Sequence, residues 1–269
     1  PSTAAFRKLN AEYADSEAKL VKKSADLKIF GGKFKMDRVL KQAENKFNNM
    51  AFQMEEKIAA AVSLFHYTLV NGDSFDGLDK MLAGTTSEFN SKAVIDISDI
   101  TKMKANADQL YEALQILIRE TDADALLMNT NMISKVQTMA RILGYRTETE
   151  EAFGKKVTSL DGVRFMDLKN HYTVTGGTTV TANACVKDGI SRTLSGSSAT
   201  TGLTDIYAVK FDVNDGFHAA TITGSSAISQ YLPDFNQPGA VKDGEVEMVA
   251  ATVLKNTKHA GVLRNVKIA

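Results

Sequence analysis

The histidines and the cysteine are the side chains in this sequence best suited to nucleophilic catalysis or metal binding. The four histidines, His66, His171, His218 and His259, lie too far apart along the chain for a short metal-binding motif. Cys185 is the only cysteine, and no histidine or expected helix N-terminus lies beside it to lower the pKa of its thiol. The sequence therefore predicts no metal site, no nucleophilic cysteine and no intrachain disulfide.

Short motifs that bind phosphate or calcium, or that activate a serine, are incomplete. Gly31-Gly32-Lys33 lacks the spacing of a P-loop, and Gly176-Gly177-Thr178 lacks both the lysine and the following helix. Residues 71–77 are acidic and rich in glycine, but Phe75 occupies a ligand position of the calcium loop that they would form. Ser16-Glu17-Ala18-Lys19 stands without the other elements of the Ser-x-x-Lys hydrolases. We therefore expect no enzyme activity and no cofactor.

Charge and hydropathy limit the class of protein. The 269 residues include 32 Lys+Arg and 32 Asp+Glu, and this balance argues against a dedicated nucleic-acid binder. The 43% of hydrophobic residues is enough for a core and excludes general disorder. The longest apolar run, residues 58–70, is shorter than the roughly 20 residues of a membrane span. We expect a soluble intracellular protein with no membrane partner.

Residues 1–36 are rich in charged side chains and poor in apolar ones. Two interpretations of this segment stay open: an extended arm or long hairpin without a core of its own, and a flexible solvated terminus. Phe6, Leu9 and Tyr13 are scattered among charges, which is typical of an interface more than of a core.

The apolar residues that follow recur at spacings of three and four, which predicts one long helix over residues 37–71. Asp37 is a suitable N-cap, and Asn71-Gly72 is a suitable C-terminal stop. At a rise of about 1.5 Å per residue this helix would be about 50 Å long, so we interpret it as a spine that lies on a sheet. Its apolar face contains Leu40, Ala43, Phe47, Met50, Met54, Ile58, Ala61, Phe65 and Leu69. Further helices are predicted over residues 98–119 and 131–143, with a short strand over 125–128 between them and Gly144 as the stop.

The second half of the chain has mainly strand patterns. Asp161-Gly162 between β-prone runs predicts a hairpin turn. Residues 173–202 are dominated by Thr, Ser and Gly and are predicted as exposed strand and loop, too polar to be core. A strand is predicted where apolar and polar residues alternate, at Tyr207, Val209, Phe211 and Val213, before a hairpin turn at Asn214-Asp215-Gly216. Strands return at residues 244–255 and 261–268. Because strict βαβ alternation is absent, the predicted fold class is α+β.

Several short motifs occur in a fixed order along the whole chain, and their order and spacing are more specific than any one of them. They are Leu27-Lys28-Ile29-Phe30-Gly31-Gly32-Lys33-Phe34, the long helix, Asn71-Gly72-Asp73, Phe75-Asp76-Gly77-Leu78, Asp124-Ala125-Leu126-Leu127-Met128-Asn129, Leu160-Asp161-Gly162-Val163, Ile206-Tyr207-Ala208-Val209-Lys210-Phe211 and Leu263-Arg264-Asn265-Val266-Lys267-Ile268. This set resembles the major capsid protein of tailed bacteriophages with the Hong Kong 97-type fold.

The resemblance implies four segments. Residues 1–32 correspond to an extended E-loop, residues 33–120 to a P-domain with its spine helix, and residues 121–240 to an A-domain. Residues 241–269 correspond to the returning P-domain strand and a C-terminal strand. Residues 1–7 already resemble E-loop sequence, so we expect the N-terminal arm that normally precedes the E-loop to be missing from this chain. The candidate subunit-interface residues are Phe6, Arg7, Leu9, Tyr13, Lys22 and Lys23.

The resemblance also implies a function. Such a protein is a structural subunit that assembles with itself into pentamers and hexamers of an icosahedral head around double-stranded DNA, which it contacts without sequence specificity. It would work with a portal and with scaffold or decoration proteins, assemble in the host cytoplasm and end in the virion. We expect no Lys–Asn cross-link between subunits, since no motif identifies a partner for the arm lysines.

Two alternatives to the phage capsid protein remain open. The first has the same fold: an encapsulin-type nanocompartment shell, which encloses a cargo enzyme in place of a genome. The second is a hydroxyl-rich adhesin or carbohydrate-binding module, which rests on the Thr/Ser/Gly stretch alone.

Overall fold

The computed structural model describes residues 4–15, 17, 22–42, 49–144, 148–152, 155–194 and 198–269. The helices are α1 (Arg38–Gln42), α2 (Asn49–Asn71), α3 (Leu78–Leu82), α4 (Ile100–Thr121) and α5 (Thr130–Leu143), with a 3-10 helix at Thr257–His259. The strands of the first half are β1 (Lys28–Asp37), β2 (Glu88–Phe89), β3 (Ile95–Asp96) and β4 (Ala125–Leu127). The later strands are β5 (Glu148–Ala152), β6 (Lys155–Leu160), β7 (Val163–Met166), β8 (Asn170–Thr175), β9 (Thr179–Ala184), β10 (Ile190–Arg192), β11 (Thr200–Val209), β12 (Phe217–Ala220), β13 (Ile228–Tyr231), β14 (Val241–Leu254) and β15 (Ala260–Lys267).

Within these residues the strands form three sheets. The larger sheet has nine strands in the order β2-β15-β11-β4-β7-β6-β5, with β3 on β15 and β10 on β11. The smaller sheet has four strands, in which β14 pairs with β1 on one side and with β12 and β13 on the other. β8 and β9 form a separate two-stranded hairpin. This mixture of helices with mainly antiparallel sheets confirms the α+β class.

Helix ends and one tight turn lie where the sequence predicts them. The Asp37 carboxylate accepts the backbone N–H of Val39 at 2.8 Å, which caps α1. α2 ends at Asn71, and Gly72 follows with a φ of 70°. Asp161 and Gly162 have φ values of 52° and 81° and join β6 to β7, as a tight hairpin turn requires. Residues 43–48 lie outside the described part of the chain, so one continuous helix over 37–71 stays a prediction.

The spine helix α2 packs on the smaller sheet through the face that its periodicity indicates. Met54 is buried in a cluster with Phe34 of β1 and Val246 of β14. The Phe65 ring stacks parallel to the Phe30 ring of β1, with 6.3 Å between the centroids. Contacts in both the N-terminal and the C-terminal half of α2 therefore fix the helix on the sheet.

The larger sheet is covered on both faces at β11. In β11, Leu203–Val209 are all buried. Ile206 and Ala208 join the core under α4 and α5, and Tyr207 and Val209 join a second core that includes α3 and the end of α2. The alternation stops there: Phe211 and Val213 lie in the following turn and are exposed.

The Thr/Ser/Gly stretch is exposed only in part. Residues 172–182 are exposed along both strands of the β8–β9 hairpin, as predicted. Cys185 and Val186 are buried, however, so the prediction that residues 173–202 avoid the core is wrong at these two positions. The core reaches them because the chain returns from the hairpin to the larger sheet.

Arg264 on β15 is the centre of a buried ion-pair cluster in the larger sheet. Its guanidinium donates to Glu88 of β2 at 2.8 Å, to Asp205 of β11 at 2.9 Å, and to Asp79 of α3. The guanidinium of Arg192 on β10 forms a bidentate ion pair with the same Asp205 carboxylate, with N–O distances of 2.6 and 2.5 Å. Arg264 and Asp205 are 6% and 1% exposed, so their charges depend on one another.

Asn265 connects the ion-pair cluster to the backbone of β15 and of the loop after β2. Its φ of 62° lies in the left-handed region, and the β11–β15 register shifts beside it, between residues 204 and 206. The backbone N–H of Asn265 donates to Asp205 at 3.1 Å, and its side-chain amide donates to the carbonyls of Asn90 and Ser91. The cluster thus fixes a β-bulge and the loop after β2 together.

The interactions within the cluster keep Asp79 and Arg264 ionised. Burial alone raises the pKa of Asp79, but the hydrogen bond and charge of Arg264, with the hydroxyl of Tyr207, outweigh it and leave that pKa below its ordinary value. Burial opposes the charged form of Arg264, yet the hydrogen bond with Asp79 and the charge of Asp205 outweigh it and raise its pKa. The stabilisation from ionised Asp79 is therefore present above the ordinary carboxyl pKa and is lost as the pH falls through the lowered value.

Replacing Arg264 by Met removes the cation and leaves buried carboxylates without a partner. We expect a loss of about 3–5 kcal/mol in the free energy of unfolding at neutral pH. The loss should shrink near pH 3, because protonated carboxyls no longer need the guanidinium. Urea unfolding of unassembled subunits at both pH values, followed by circular dichroism, measures this.

Arg119→Met is the matched control, because Arg119 is exposed on α4. It should change the free energy of unfolding by less than about 0.5 kcal/mol. A loss for Arg264→Met that is equal at the two pH values would contradict the electrostatic explanation.

Met54→Ala tests the packing of the spine helix. Because Met54 is only 5% exposed, truncation should leave a cavity and cost about 2–5 kcal/mol of unfolding free energy. The exposed Glu56 on the same helix provides the control, since Glu56→Ala removes no core contact. Equal thermal stability of the two variants would show that Met54 does not support the smaller sheet.

Candidate subunit interface

The arm before β1, here residues 4–27, has large apolar side chains that the rest of the chain does not cover. Among its described residues, 4–15, 17 and 22–27, no helix or strand forms. The exposed fractions are 108% for Phe6, 90% for Leu9 and 63% for Tyr13. Burial of one such side chain is worth about 1.5–3 kcal/mol, so the arm has a strong tendency to bind a surface.

The structure brings together two of the six predicted interface residues. The Arg7 guanidinium lies over the Tyr13 ring, 5.6 Å from its centroid, and donates to the carbonyl of Ala11 at 3.3 Å. Phe6 and Leu9 point away from this local turn into solvent. The arm therefore has a local shape around Tyr13 while its apolar anchors stay uncovered.

The two predicted lysines lie at the other end of the arm. Lys22 and Lys23 are exposed. Lys23 lines a groove of about 240 Å³ that Phe75, Met81 and Thr252 also line, where the arm approaches the smaller sheet. The amino groups of these lysines are thus available to a second chain.

An acidic strip on β14, formed by Asp243, Glu245 and Glu247, is a candidate surface that the sequence predictions did not include. These residues alternate along the strand and share the outer face of the smaller sheet, opposite the face that α2 covers. Lys33 of β1 lies opposite Glu245 and approaches Asp243 at 4.0 Å, whereas Glu247 lies opposite Gly31. The Asp-Gly-Glu-Val-Glu pattern, with a charge at every second residue, was the available sequence signal.

Apolar side chains accompany the acidic strip. Ile29 of β1 and Tyr231 of β13 are 70% and 55% exposed. Tyr231 pairs with Glu245, and Ile29 shares the outer face of β1 with Lys33. The outer face of the smaller sheet therefore combines uncovered apolar area with three carboxylates, two of which lie opposite Lys33 and Lys35 of β1.

The described residues offer little for catalysis or metal binding. No group of three or more His, Cys, Asp or Glu side chains within them is arranged to hold a metal ion. Burial, together with the charge of Asp167, raises the pKa of Cys185 to about 11, so its thiol is protonated at neutral pH. Burial likewise lowers the pKa of His66, which a hydrogen bond with the backbone of Leu168 opposes only in part. In the part of the chain that the structure covers, no helix is long and apolar enough to cross a membrane.

Known proteins resemble this chain in structure and not in sequence. No family model matches the sequence, and no curated protein sequence matches it. The holo-SrpI encapsulin of Synechococcus elongatus PCC 7942 is 13% identical with a TM-score of 0.59, over 90% of this chain and 74% of the encapsulin chain. The capsid of a native GTA particle is 12% identical with a TM-score of 0.57, over 99% of this chain and 82% of its own.

A structure from Gordonia phage Cozz gives a TM-score of 0.53 at 12% identity, over 99% of this chain and 78% of its own. Identities this low carry information about the fold alone, but the matches extend over nearly the whole chain. The chain therefore has the Hong Kong 97-type fold of phage capsid and encapsulin structures.

Proposed function

We propose that this protein is a major capsid protein, the repeating subunit of an icosahedral phage head. The observation that carries the proposal is the arm, whose exposed Phe6 and Leu9 have no core of their own. Self-assembly buries these anchors on a neighbouring copy of the chain. Homo-pentamers and homo-hexamers then tile a closed shell around double-stranded DNA.

The remaining features of the proposal follow from this role. The subunit is structural and not catalytic. It contacts the packaged DNA without sequence specificity and only weakly, because its charge is balanced at 32 Lys+Arg against 32 Asp+Glu. Its partners are other copies of itself, a portal, and scaffold or decoration proteins. Assembly takes place in the host cytoplasm, and the mature protein belongs to the virion capsid.

We assign the segments by the sheet to which they belong. The arm is the E-loop; the smaller sheet with α2 is the P-domain; the larger sheet with α4 and α5 is the A-domain. Under this assignment β12 and β13 belong to the P-domain, because both pair with β14. Likewise α4 belongs to the A-domain, although the sequence placed it in the P-domain.

The acidic strip on β14 is the surface that we propose for the arm of a neighbouring copy. Lys22 and Lys23 carry the charge opposite to that of Glu245 and Glu247, and such complementarity fixes the register of an interface. Ile29 and Tyr231 lie beside the strip and offer apolar area to Phe6 and Leu9 of the arm. The contact therefore matches the arm in both charge and hydrophobicity.

An encapsulin-type nanocompartment shell is the second candidate, and the structural similarity to the holo-SrpI encapsulin favours it. Purified assemblies distinguish the two functions. Negative-stain microscopy combined with nuclease treatment should reveal closed shells that protect double-stranded DNA if the protein is a phage capsid subunit. Shells that contain a cargo protein and no DNA would support the nanocompartment, and stable monomers would contradict both.

Charge reversal on the arm tests the proposed contact. Lys22→Glu combined with Lys23→Glu should abolish stable shells at physiological salt, because it places like charges together at every repeated contact, with a summed cost on the order of a few kcal/mol. The fold should survive, since both side chains are exposed. Microscopy and sedimentation report assembly, and circular dichroism reports folding.

The matched control is Lys92→Glu combined with Lys104→Glu, which makes the same change in net charge at exposed positions outside the arm. It should assemble normally. Normal shells from the arm variant as well would show that Lys22 and Lys23 are merely solvated.

A compensating variant tests the acidic strip itself. Adding Glu245→Lys and Glu247→Lys to the arm variant restores opposite charges across the proposed contact and should restore shells. A further outcome is that the quadruple variant and the arm variant both fold and both fail to assemble. That result would show that the arm binds a different surface of the neighbouring copy.

A further inference from the structure

The β8–β9 hairpin contacts the rest of the described structure at its base. The His171 ring lies against the Tyr67 ring of α2 with 5.8 Å between centroids. The Asn71 amide donates to the carbonyl of Cys185 at 2.9 Å, and the Cys185 N–H donates to the carbonyl of Lys169 at 3.0 Å. These contacts hold β8 next to α2 and leave β9 as the outer strand.

Beyond the base, residues 172–182 are exposed on both faces of the hairpin. Val174 pairs with Val180, and Tyr172 pairs with Ala182, so these four side chains share one face. Tyr172, Val174 and Val180 are 59%, 61% and 62% exposed. A two-stranded hairpin with both faces in water is marginally stable, so pairing with a further strand would stabilise this one.

The hairpin has none of the features that normally prevent strand pairing between molecules. No Asp, Glu, Lys or Arg occurs between Lys169 and Lys187, and no proline interrupts the segment. The six β8–β9 pairs run without a bulge. Its titratable side chain, His171, faces α2, and burial lowers its pKa, which favours the neutral form at pH 7.

The edge strand β1 carries charges that oppose pairing with itself. It contains Lys28, Lys33 and Lys35. Pairing of β1 with its own copy would place like charges near one another. An uncharged edge such as that of β9 meets no such repulsion from an identical edge.

We infer that the free edge of β9 pairs antiparallel with β9 of a second copy of this chain, which joins two hairpins into one four-stranded sheet. The contact is isologous, with a two-fold axis that passes between the two β9 strands at the level of Thr181. Main-chain hydrogen bonds supply the affinity, as in other cases of strand addition. Val180 and Ala182 of each copy then pack beside the same residues of the other. The contact is separate from the arm and requires neither Lys22 nor Lys23.

The proposed two-fold axis predicts distances between equivalent residues of the two copies, which a cross-linking experiment can test. Thr181 lies at the middle of β9, so two copies of it would be about one strand spacing apart, roughly 5 Å. Thr173 is the partner of Thr181 on β8 and shares its face. Two copies of Thr173 would be three strand spacings apart, roughly 14 Å.

Thr181→Cys in the full chain, treated with a short bismaleimide, should therefore give a covalent dimer on a denaturing gel. Thr173→Cys is the matched control at an equally exposed position and should give at least tenfold less dimer. The unmodified chain supplies the background, since Cys185 is 0% exposed and burial, aided by the charge of Asp167, raises the pKa of its thiol to about 11.

The outcomes separate this contact from the proposed capsid function. Shells that form without a Thr181→Cys cross-link overturn the β9 contact and leave the capsid function intact. A cross-linked dimer without shells supports the β9 contact and counts against the capsid function. Equal cross-linking of the two cysteine variants also overturns the contact, because it indicates random collision.

Opposite charges provide a second test. Thr181→Lys and Thr181→Glu, each alone, should weaken dimerisation in sedimentation experiments by about tenfold. An equimolar mixture of the two should restore it, because opposite charges then meet across the axis. Unchanged dimerisation of both single variants overturns the contact, and recovery in the mixture excludes misfolding as the cause of the loss.

Discussion

The larger sheet depends on one buried cation. Arg264 holds three carboxylates that arrive from α3, β2 and β11, and Arg192 binds the most buried of them from a second side. Removal of a single partner leaves uncompensated charge away from water, which is more costly than loss of an exposed salt bridge. The cluster also holds the bulge at Asn265, so the geometry of β15 and the loop after β2 is specified together with the charge balance.

Two segments contrast with this well-determined core. The arm around Phe6 and the β8–β9 hairpin around Val180 both expose apolar side chains that their own chain leaves uncovered. They differ in charge, since the arm alternates basic and acidic residues while the hairpin has none between Lys169 and Lys187. Such a difference suits two kinds of contact: a heterologous one that charge complementarity orients, and an isologous one in which an uncharged edge meets itself.

The sequence by itself determined the local structure wherever the signal is carried by neighbouring residues. Asp37 caps α1, Gly72 follows the end of α2 and Asp161-Gly162 turns between β6 and β7, because capping and positive φ depend on one or two residues. The periodicity of α2 identified the face that packs on the smaller sheet. Composition also predicted that the arm around Phe6 has no core of its own, and its large apolar side chains are exposed. Their place at a subunit interface stays a prediction.

Only the tertiary structure decided what depends on residues distant in the chain. Alternation at Tyr207 predicted a strand, but it did not show that helices cover both faces of β11, because those helices come from distant parts of the chain. The partners of Arg264 come from positions 79, 88 and 205, which meet only after the larger sheet has formed. The same holds for the acidic strip around Glu245, because its exposure depends on α2 covering the opposite face of the sheet. Sequence thus specified turns, caps and faces, whereas packing decided which faces remained uncovered.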